Sequence, residues 1–457
     1  MSGLDVNEAF KPNSALRTAS RSQFVGREQS LSDVLVGISS EGAATCILGQ
    51  RGVGKTSLAW RIQEYLSGDR EWVDDRISLP LRVPDLDVVW LEVYRAHHNI
   101  TGVVLDLLSN RGRSSRWSEV AVANEISSFV ARRESPNAEQ IANLLDSPLL
   151  RRFDQNLSED EQNIVGTNSR SPISELSVEE QSEVLSVFAE AVDAVGKKRQ
   201  REILFILDEI DRLPDKRGIG EFLKSGNFGI YCLVGVADSL EEIIVESVST
   251  DHPSAERKLH PVLVEPLSEE EVRAFISTSN DRLYGAKLKF DEGFSKAAVR
   301  YCGGFPFILQ RICRDAVLAS FQTIKVKVTQ PEGKQRKITE VDFFRALDGF
   351  LNPNVDGSGR YEKLSKGIDN ANKEELLFRI AESGETWCIT SEIEKEMSSK
   401  YGFAGNVIEL ATDEILSIGR LPDGSESLRF FDPKLRAIVL RVKDQNKRLF
   451  HKKAKRG

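Results

Sequence analysis

The stretch that most constrains this chain runs from Gly42 to Leu66 and reads GAATCILGQRGVGKTSLAWRIQEYL. An apolar run leads into a loop with glycine at positions 49, 52 and 54, and the loop opens straight into a segment with helical spacing of its apolar residues. Strand, glycine loop and helix make half of a βαβ unit, which needs a parallel partner strand. The rest of the chain offers partners. LDVVWLEVY reads as an interior strand, REILFILDEIDRL as a cleaner one ending on carboxylates, and FGIYCLVGVA and HPVLVEPL as two more. Strands separated by helical segments predict an α/β fold with a parallel sheet covered on both faces.

The loop GQRGVGKT, Gly49 to Thr56, matches the pattern G-x-x-x-x-G-K-[ST]. Its glycines let the backbone N–H groups of Gly49, Gln50, Arg51, Gly52, Val53 and Gly54 turn inward around phosphate oxygens. Lys55 can bridge the outer phosphates, the Thr56 hydroxyl can bind Mg²⁺, and the helix entered at Ser57 offers its positive end. ILFILDEID supplies the complement. Asp208 leaves the end of a buried strand, where it can hold the water shell of Mg²⁺, and Glu209 beside it can orient an attacking water. Asp211 and Arg212 read as surface residues.

Length and composition bound the rest. At 457 residues the chain holds two or three domains, and no apolar stretch approaches the roughly 18 to 20 residues that span a bilayer. The N-terminus carries Asp5 and Glu8 and no apolar leader core, and the five cysteines show no C-x-x-C spacing, so a reduced, cytoplasmic protein is expected. Net charge is −8, yet the last 17 residues hold eight Lys and Arg against Asp444 alone, so the body without them stands at −15. An acidic body with a basic tail is not the charge pattern of a protein wrapped in nucleic acid. His97 and His98 lack a metal-ligand spacing, and no G-x-S-x-G is present.

The segments divide as an N-terminal arm over 1–23, a phosphate-loop domain over 24–267 with a helical insertion at about 97–200, and a helical lid over 268–350. The lid opens on a capping box of Ser268 and Glu271. LNPNVDGSGR marks a linker over 351–367; helices and a hairpin signal at Asp423-Gly424 then describe a winged-helix-like domain over 368–443, followed by the basic tail 444–457.

The order of phosphate loop, long gap, LDE and a strand ending near a polar residue resembles the AAA+ and STAND classes of P-loop ATPases, in the additional-strand group. FVGRE, Phe24 to Glu28, is similar to a box that lines the adenine pocket in origin-recognition ATPases and STAND switches, which implies that role for Val25 and Arg27. GGFP, Gly303 to Pro306, resembles the Gly-x-Pro element at the start of a lid helix and places Pro306 at the nucleotide. The resemblance implies ATP and Mg²⁺ as cofactors. It also implies that strand four inserts beside the phosphate-loop strand, with its last residue facing the γ-phosphate. Asp238 and Ser239 stand there: a carboxylate would need a compensating cation, whereas Ser239 could donate a hydrogen bond, and either can serve. Arg257 falls where AAA+ proteins carry an arginine finger. Arg311 and Arg314 miss the Gly-x-x-Arg spacing, which favours a lid without a nucleotide-facing arginine.

Two functions compete. One is an ATP-hydrolysing switch that controls self-association or a partner effector protein, similar to STAND regulators and the ATPase components of bacterial defence modules. The other is a DNA-binding AAA+ loader. NVIELATDEILSIGRL sets Glu409, Asp413 and Glu414 against Arg420 alone, which would oppose a phosphate backbone and favours protein packing, while the basic tail leaves DNA open as a partner. A third reading, a nucleotide-binding subunit without turnover, would leave Glu209 idle.

Overall fold

The structure, a computed structural model, describes residues 6–10, 24–40, 44–68, 85–109, 120–161, 172–224, 227–237, 258–324, 335–352 and, with gaps of one or two residues, 360–449. It forms two compact units, one of residues 27–50 and 55–265, the other of residues 1–26, 51–54 and 266–457.

The first of these is built on five strands: β1 (Ala44–Gly49), β2 (Leu86–Glu92), β3 (Glu202–Asp208), β4 (Gly229–Val236) and β5 (Leu259–Leu263). They lie in the order β2-β3-β4-β1-β5, every neighbouring pair parallel. β1 is buried along its whole length and β3 from Ile203 onward, because helices cover both faces and no alternation with polar residues is needed. β2 departs from expectation. Its apolar density predicts an interior strand, and it lies at the sheet edge. That density reports covered faces rather than paired edges: Leu86 to Leu91 are buried, and Trp90 stacks on Trp60 of the helix Lys55–Leu66 with ring centroids 4.5 Å apart.

The insertion is not a separate body. Its helices Ile100–Ser109, Val120–Ala131, Pro136–Leu145 and Val178–Arg199 share one apolar core with the sheet. Phe188 of the long helix meets Phe205 of β3 edge-on at 5.3 Å and stacks on Phe222 at 5.6 Å; Phe205 stacks on Tyr231 of β4. At its end Arg199 reaches both Asp87 and Glu125.

The other unit begins with the helices Glu269–Leu283, Glu292–Cys302, Pro306–Ile324 and Glu340–Phe350 and a small parallel pair, β6 (Leu288–Phe290) with β7 (Arg336–Ile338). The capping box is formed: Glu271 N donates to Ser268 Oγ at 3.2 Å and Ser268 N to a Glu271 carboxylate oxygen at 2.7 Å. The stretch read as a linker holds a helix, Arg360–Gly367, and its residues 353–359 lie outside the described residues. Then follow the helix Ala371–Glu382, β8 (Cys388–Ile389), the helices Thr390–Glu396 and Phe403–Thr412, and the hairpin of β9 (Leu416–Arg420) and β10 (Glu426–Phe430), with Gly424 at φ 84° in its turn. The strands form an antiparallel sheet in the order β8-β10-β9, and the helix Pro433–Asp444 closes the unit. All five cysteines are buried free thiols. Among the described residues no helix is long and apolar enough to cross a membrane.

Candidate functional site

β1 ends at Gly49, and the chain turns through Gln50 to Gly54 before the helix Lys55–Leu66 begins. Gly52 at φ 80° and Gly54 at φ 107° occupy backbone conformations that side-chain-bearing residues rarely adopt, so the loop depends on these two positions. Lys55 is buried and its ammonium donates to the carbonyls of Gly49, at 2.9 Å, and Gln50, at 3.0 Å. Val53 and Gln50 are buried, Arg51 is exposed, and Thr56 and Ser57 are half-buried on the first helical turn.

The Thr56 hydroxyl donates to Asp208 Oδ1 at 3.3 Å across 152 residues of sequence. Parallel strands achieve this: β1 and β3 flank β4 and all three end at the same edge. Asp208 also accepts from Glu209 N at 3.0 Å. Burial, and then the neighbouring charges of Glu209 and Glu92, push its carboxyl up to about 7 against the two hydrogen bonds. Two oxygen donors beside an excess of negative charge suit a hard divalent cation, so Thr56 and Asp208 fit Mg²⁺.

Glu209 sits at φ 62° and starts the short turn Ile210–Arg212. Its carboxylate pairs with Arg212 Nε at 3.1 Å, and the same guanidinium lies 3.5 Å from Glu92 at the end of β2. Asp211 accepts from Val236 N at 2.8 Å and ties the turn to the end of β4. These two residues read as surface in the sequence; both are half-buried, and the structure adds that each has a partner beside the site. The spacing of three between Glu209 and Arg212 was the available signal, since residues three apart in a helical turn meet.

The other sequence candidates divide. Arg27 stands at the N-terminus of the helix Glu28–Ser39 with φ 82°. Pro306 opens the helix Pro306–Ile324, whose Phe307 N donates to Gly52 O at 3.3 Å. Just before it, Gly304 at φ 73° accepts from Leu267 N at 2.8 Å through its carbonyl. Arg311 and Arg314 both pair with Asp315, at 2.8 and 3.1 Å. Asp238, Ser239 and Arg257 lie outside the described residues. The residue before them, Ala237, bridges to Gly49, so the end of strand four adjoins the start of the loop.

β4 is therefore the strand inserted between β3 and the phosphate-loop strand. The fold is an α/β P-loop fold built on an all-parallel sheet, as the sequence predicts. No family model matches the chain, and no curated protein matches its sequence. Among solved structures it is similar to a Walker-type ATPase of Pyrococcus abyssi, at 15% identity and TM-score 0.44 over 95% of this chain and 100% of that one. It is likewise similar to the ORC2 protein of Aeropyrum pernix, at 13% identity and TM-score 0.43 over 96% of each chain. The RuvB Holliday junction branch migration motor of Thermotoga maritima follows at 12% identity and TM-score 0.37, over 94% of this chain and 97% of that one.

Proposed function

We propose that the chain binds Mg-ATP, hydrolyses it, and uses the nucleotide state to control its self-association or a partner protein. One observation carries this: the Thr56 hydroxyl of the phosphate-loop helix meets the buried Asp208 of β3, with Glu209 next to it. In this reading the loop N–H groups hold phosphate oxygens, and Lys55 exchanges its two carbonyl partners for the outer phosphates. Bound Mg²⁺ supplies charge neutralisation at Thr56 and Asp208. Glu209 accepts the proton of the attacking water, for which its carboxylate must leave Arg212. Val25, Arg27 and Pro306 contribute to the adenine side, and Asp238, Ser239 and Arg257 to the γ-phosphate.

The switch is favoured over a DNA loader by the C-terminal part. Its order of helix, strand, two helices and hairpin supports a winged-helix reading. Glu409 pairs with Lys373 at 2.6 Å and Glu414 with Lys363, which lowers the repulsion of phosphate expected from the sequence, so the preference rests on the exposed face of the helix that carries Glu409. The outward side of the helix Phe403–Thr412 presents Ala404, Gly405, Ile408, Glu409 and Thr412, with no Lys or Arg to meet phosphates or guanine edges. Such a face suits protein contact, in keeping with a regulatory ATPase such as one in a defence module.

The test is nucleotide binding and steady-state phosphate release by the purified chain. Lys55→Ala is expected to lose ATP binding, and Glu209→Gln to retain binding while turnover falls roughly a hundredfold or more. Intact binding in Lys55→Ala would overturn the reading.

A further inference from the structure

The first turn of the helix Pro433–Asp444 carries a cation that no carboxylate balances. Arg436 Nη1 donates to the carbonyl of Arg300 at 3.0 Å, its Nε is sealed from solvent without a hydrogen-bond partner, and among the described residues it forms no ion pair. Burial, the larger influence on it, holds the guanidinium below the usual arginine value. A covered cationic donor without a partner is costly to keep, and an apolar side chain of the same length would fill the space at less cost. Packing alone does not call for an arginine here.

What Arg436 touches is the turn that leads to the phosphate loop. Arg300 lies in the last turn of the helix Glu292–Cys302, where carbonyls lack helical donors, and Gly303 at φ 57° follows as its C-cap. A Cβ at Gly303 would stand 3.0 Å from Arg436 Nη1, so the guanidinium lies directly on the turn. Two residues past Gly304 the lid helix meets the loop: Phe307 N donates to Gly52 O at 3.3 Å, and a Cβ on Gly54 would stand 3.9 Å from Pro306. A second route leaves the same helical turn, since Lys434 lies 4.2 Å over the ring of Phe350, and Phe350 meets Phe307 edge-on at 6.2 Å. All of these residues, loop residues 51–54 included, belong to one compact unit.

We propose that Arg436 is a positioning residue for nucleotide: by holding the Gly303 turn it keeps Phe307 on the Gly52 carbonyl, and its withdrawal from the turn lowers the affinity for ATP. The peptide bond supplies the link. Because that bond is planar and trans, fixing Gly52 O on Phe307 aims the N–H of Val53 away from the lid helix, and Val53 N–H is one of the donors assigned to the phosphates. The inference rests on the reading of this loop as the nucleotide site. It makes the seating of the last helix a regulator of affinity, so that a partner drawing that helix off the turn discharges the nucleotide.

The experiment is equilibrium binding of a fluorescent ATP analogue with Mg²⁺ to the full chain, together with kcat and KM for ATP. Arg436→Met keeps the stem and removes the cation; it is expected to weaken binding at least tenfold and to raise KM by a like factor with kcat within threefold. Arg436→Lys can still donate to the Arg300 carbonyl and is expected to recover binding to within threefold of the parent. Arg436→Gln is expected to weaken binding in the same direction as Arg436→Met, which keeps the test standing if the latter does not fold. Hydrogen exchange in the peptide holding Phe307 is expected to rise at least tenfold in Arg436→Met while β3 keeps its protection. Arg441→Met, which frees the same helix from Asp348 without touching the turn, is expected to leave ATP affinity within twofold. A parent that binds no ATP fails the nucleotide reading and this inference with it. A parent that binds while Arg436→Met and Arg436→Gln stay within twofold of it overturns this inference alone, as does an Arg441→Met loss equal to that of Arg436→Met or an Arg436→Lys that recovers nothing.

Discussion

Arg212 is shared between two glutamates, and the sheet order says which way it pulls. β2 lies on the far side of β3 from β4 and β1, so a guanidinium joining Glu209 to Glu92 draws Glu209 away from the phosphate loop. Arg212 is then a restraint on the proposed general base. Arg212→Gln is expected to raise kcat several-fold with KM for ATP within twofold, since no nucleotide contact is removed; a matching fall in kcat would show that the pairing positions Glu209 productively. Asp208 gives a second prediction, in stability. A carboxyl raised to about 7 in the folded state binds more protons folded than unfolded between its unfolded value near 3.9 and that point. Metal-free stability therefore falls as pH rises through that window. Asp208→Asn is expected to flatten the fall and, at pH 8 without Mg²⁺ or nucleotide, to raise stability by up to about 4 kcal/mol, read from chemical denaturation at pH 5 and pH 8. An equal pH dependence in both proteins would rule this out.

At the scale of elements, what was legible in the sequence was local. The phosphate loop, β3 ending on Asp208, the capping box and the Asp423-Gly424 hairpin are each written in a few consecutive residues, because glycine conformations, caps and turns are decided by near neighbours. What depended on distant partners was not legible. β2 gives no sign of being an edge strand, since helices bury its faces whether or not its edge is paired. The insertion likewise reads as a run of amphipathic helices, and only the Phe188 contacts show that it roofs the sheet. Phe188→Ala is expected to cost about 3 to 5 kcal/mol through the cavity it leaves among Phe205, Phe222 and their neighbours. Denaturant unfolding with the tyrosine and tryptophan signals of the sheet as readout measures it; a loss under about 1 kcal/mol would mean the insertion folds apart from the strands.

On the scale of the molecule, the sequence division into lid and C-terminal domain meets a helix that belongs to both. Pro433–Asp444 lies after the hairpin, yet Asp444 takes the guanidinium of Arg300 at 2.8 Å and the hydroxyl of Tyr301, both on the helix Glu292–Cys302. Arg441 grips Asp348 with two bonds of 2.6 and 2.7 Å, and Lys434 lies 4.2 Å over the ring of Phe350. These polar pairs are half exposed and each contributes about 1 kcal/mol or less, so the larger share of the attachment comes from the buried side, where Leu435, Ile438, Val439 and Leu440 are all covered. Leu440 on that face is 1% exposed. Leu440→Ala is expected to destabilise by about 2 to 5 kcal/mol and to do so on both sides of the helix at once. Hydrogen exchange should show protection falling together in peptides from 292–350 and from 371–412 while β3 keeps its own. If only the C-terminal peptides lose protection, the lid holds itself together. If both lose it, any motion of the lid carries the C-terminal domain with it, which is the coupling a nucleotide-driven switch requires.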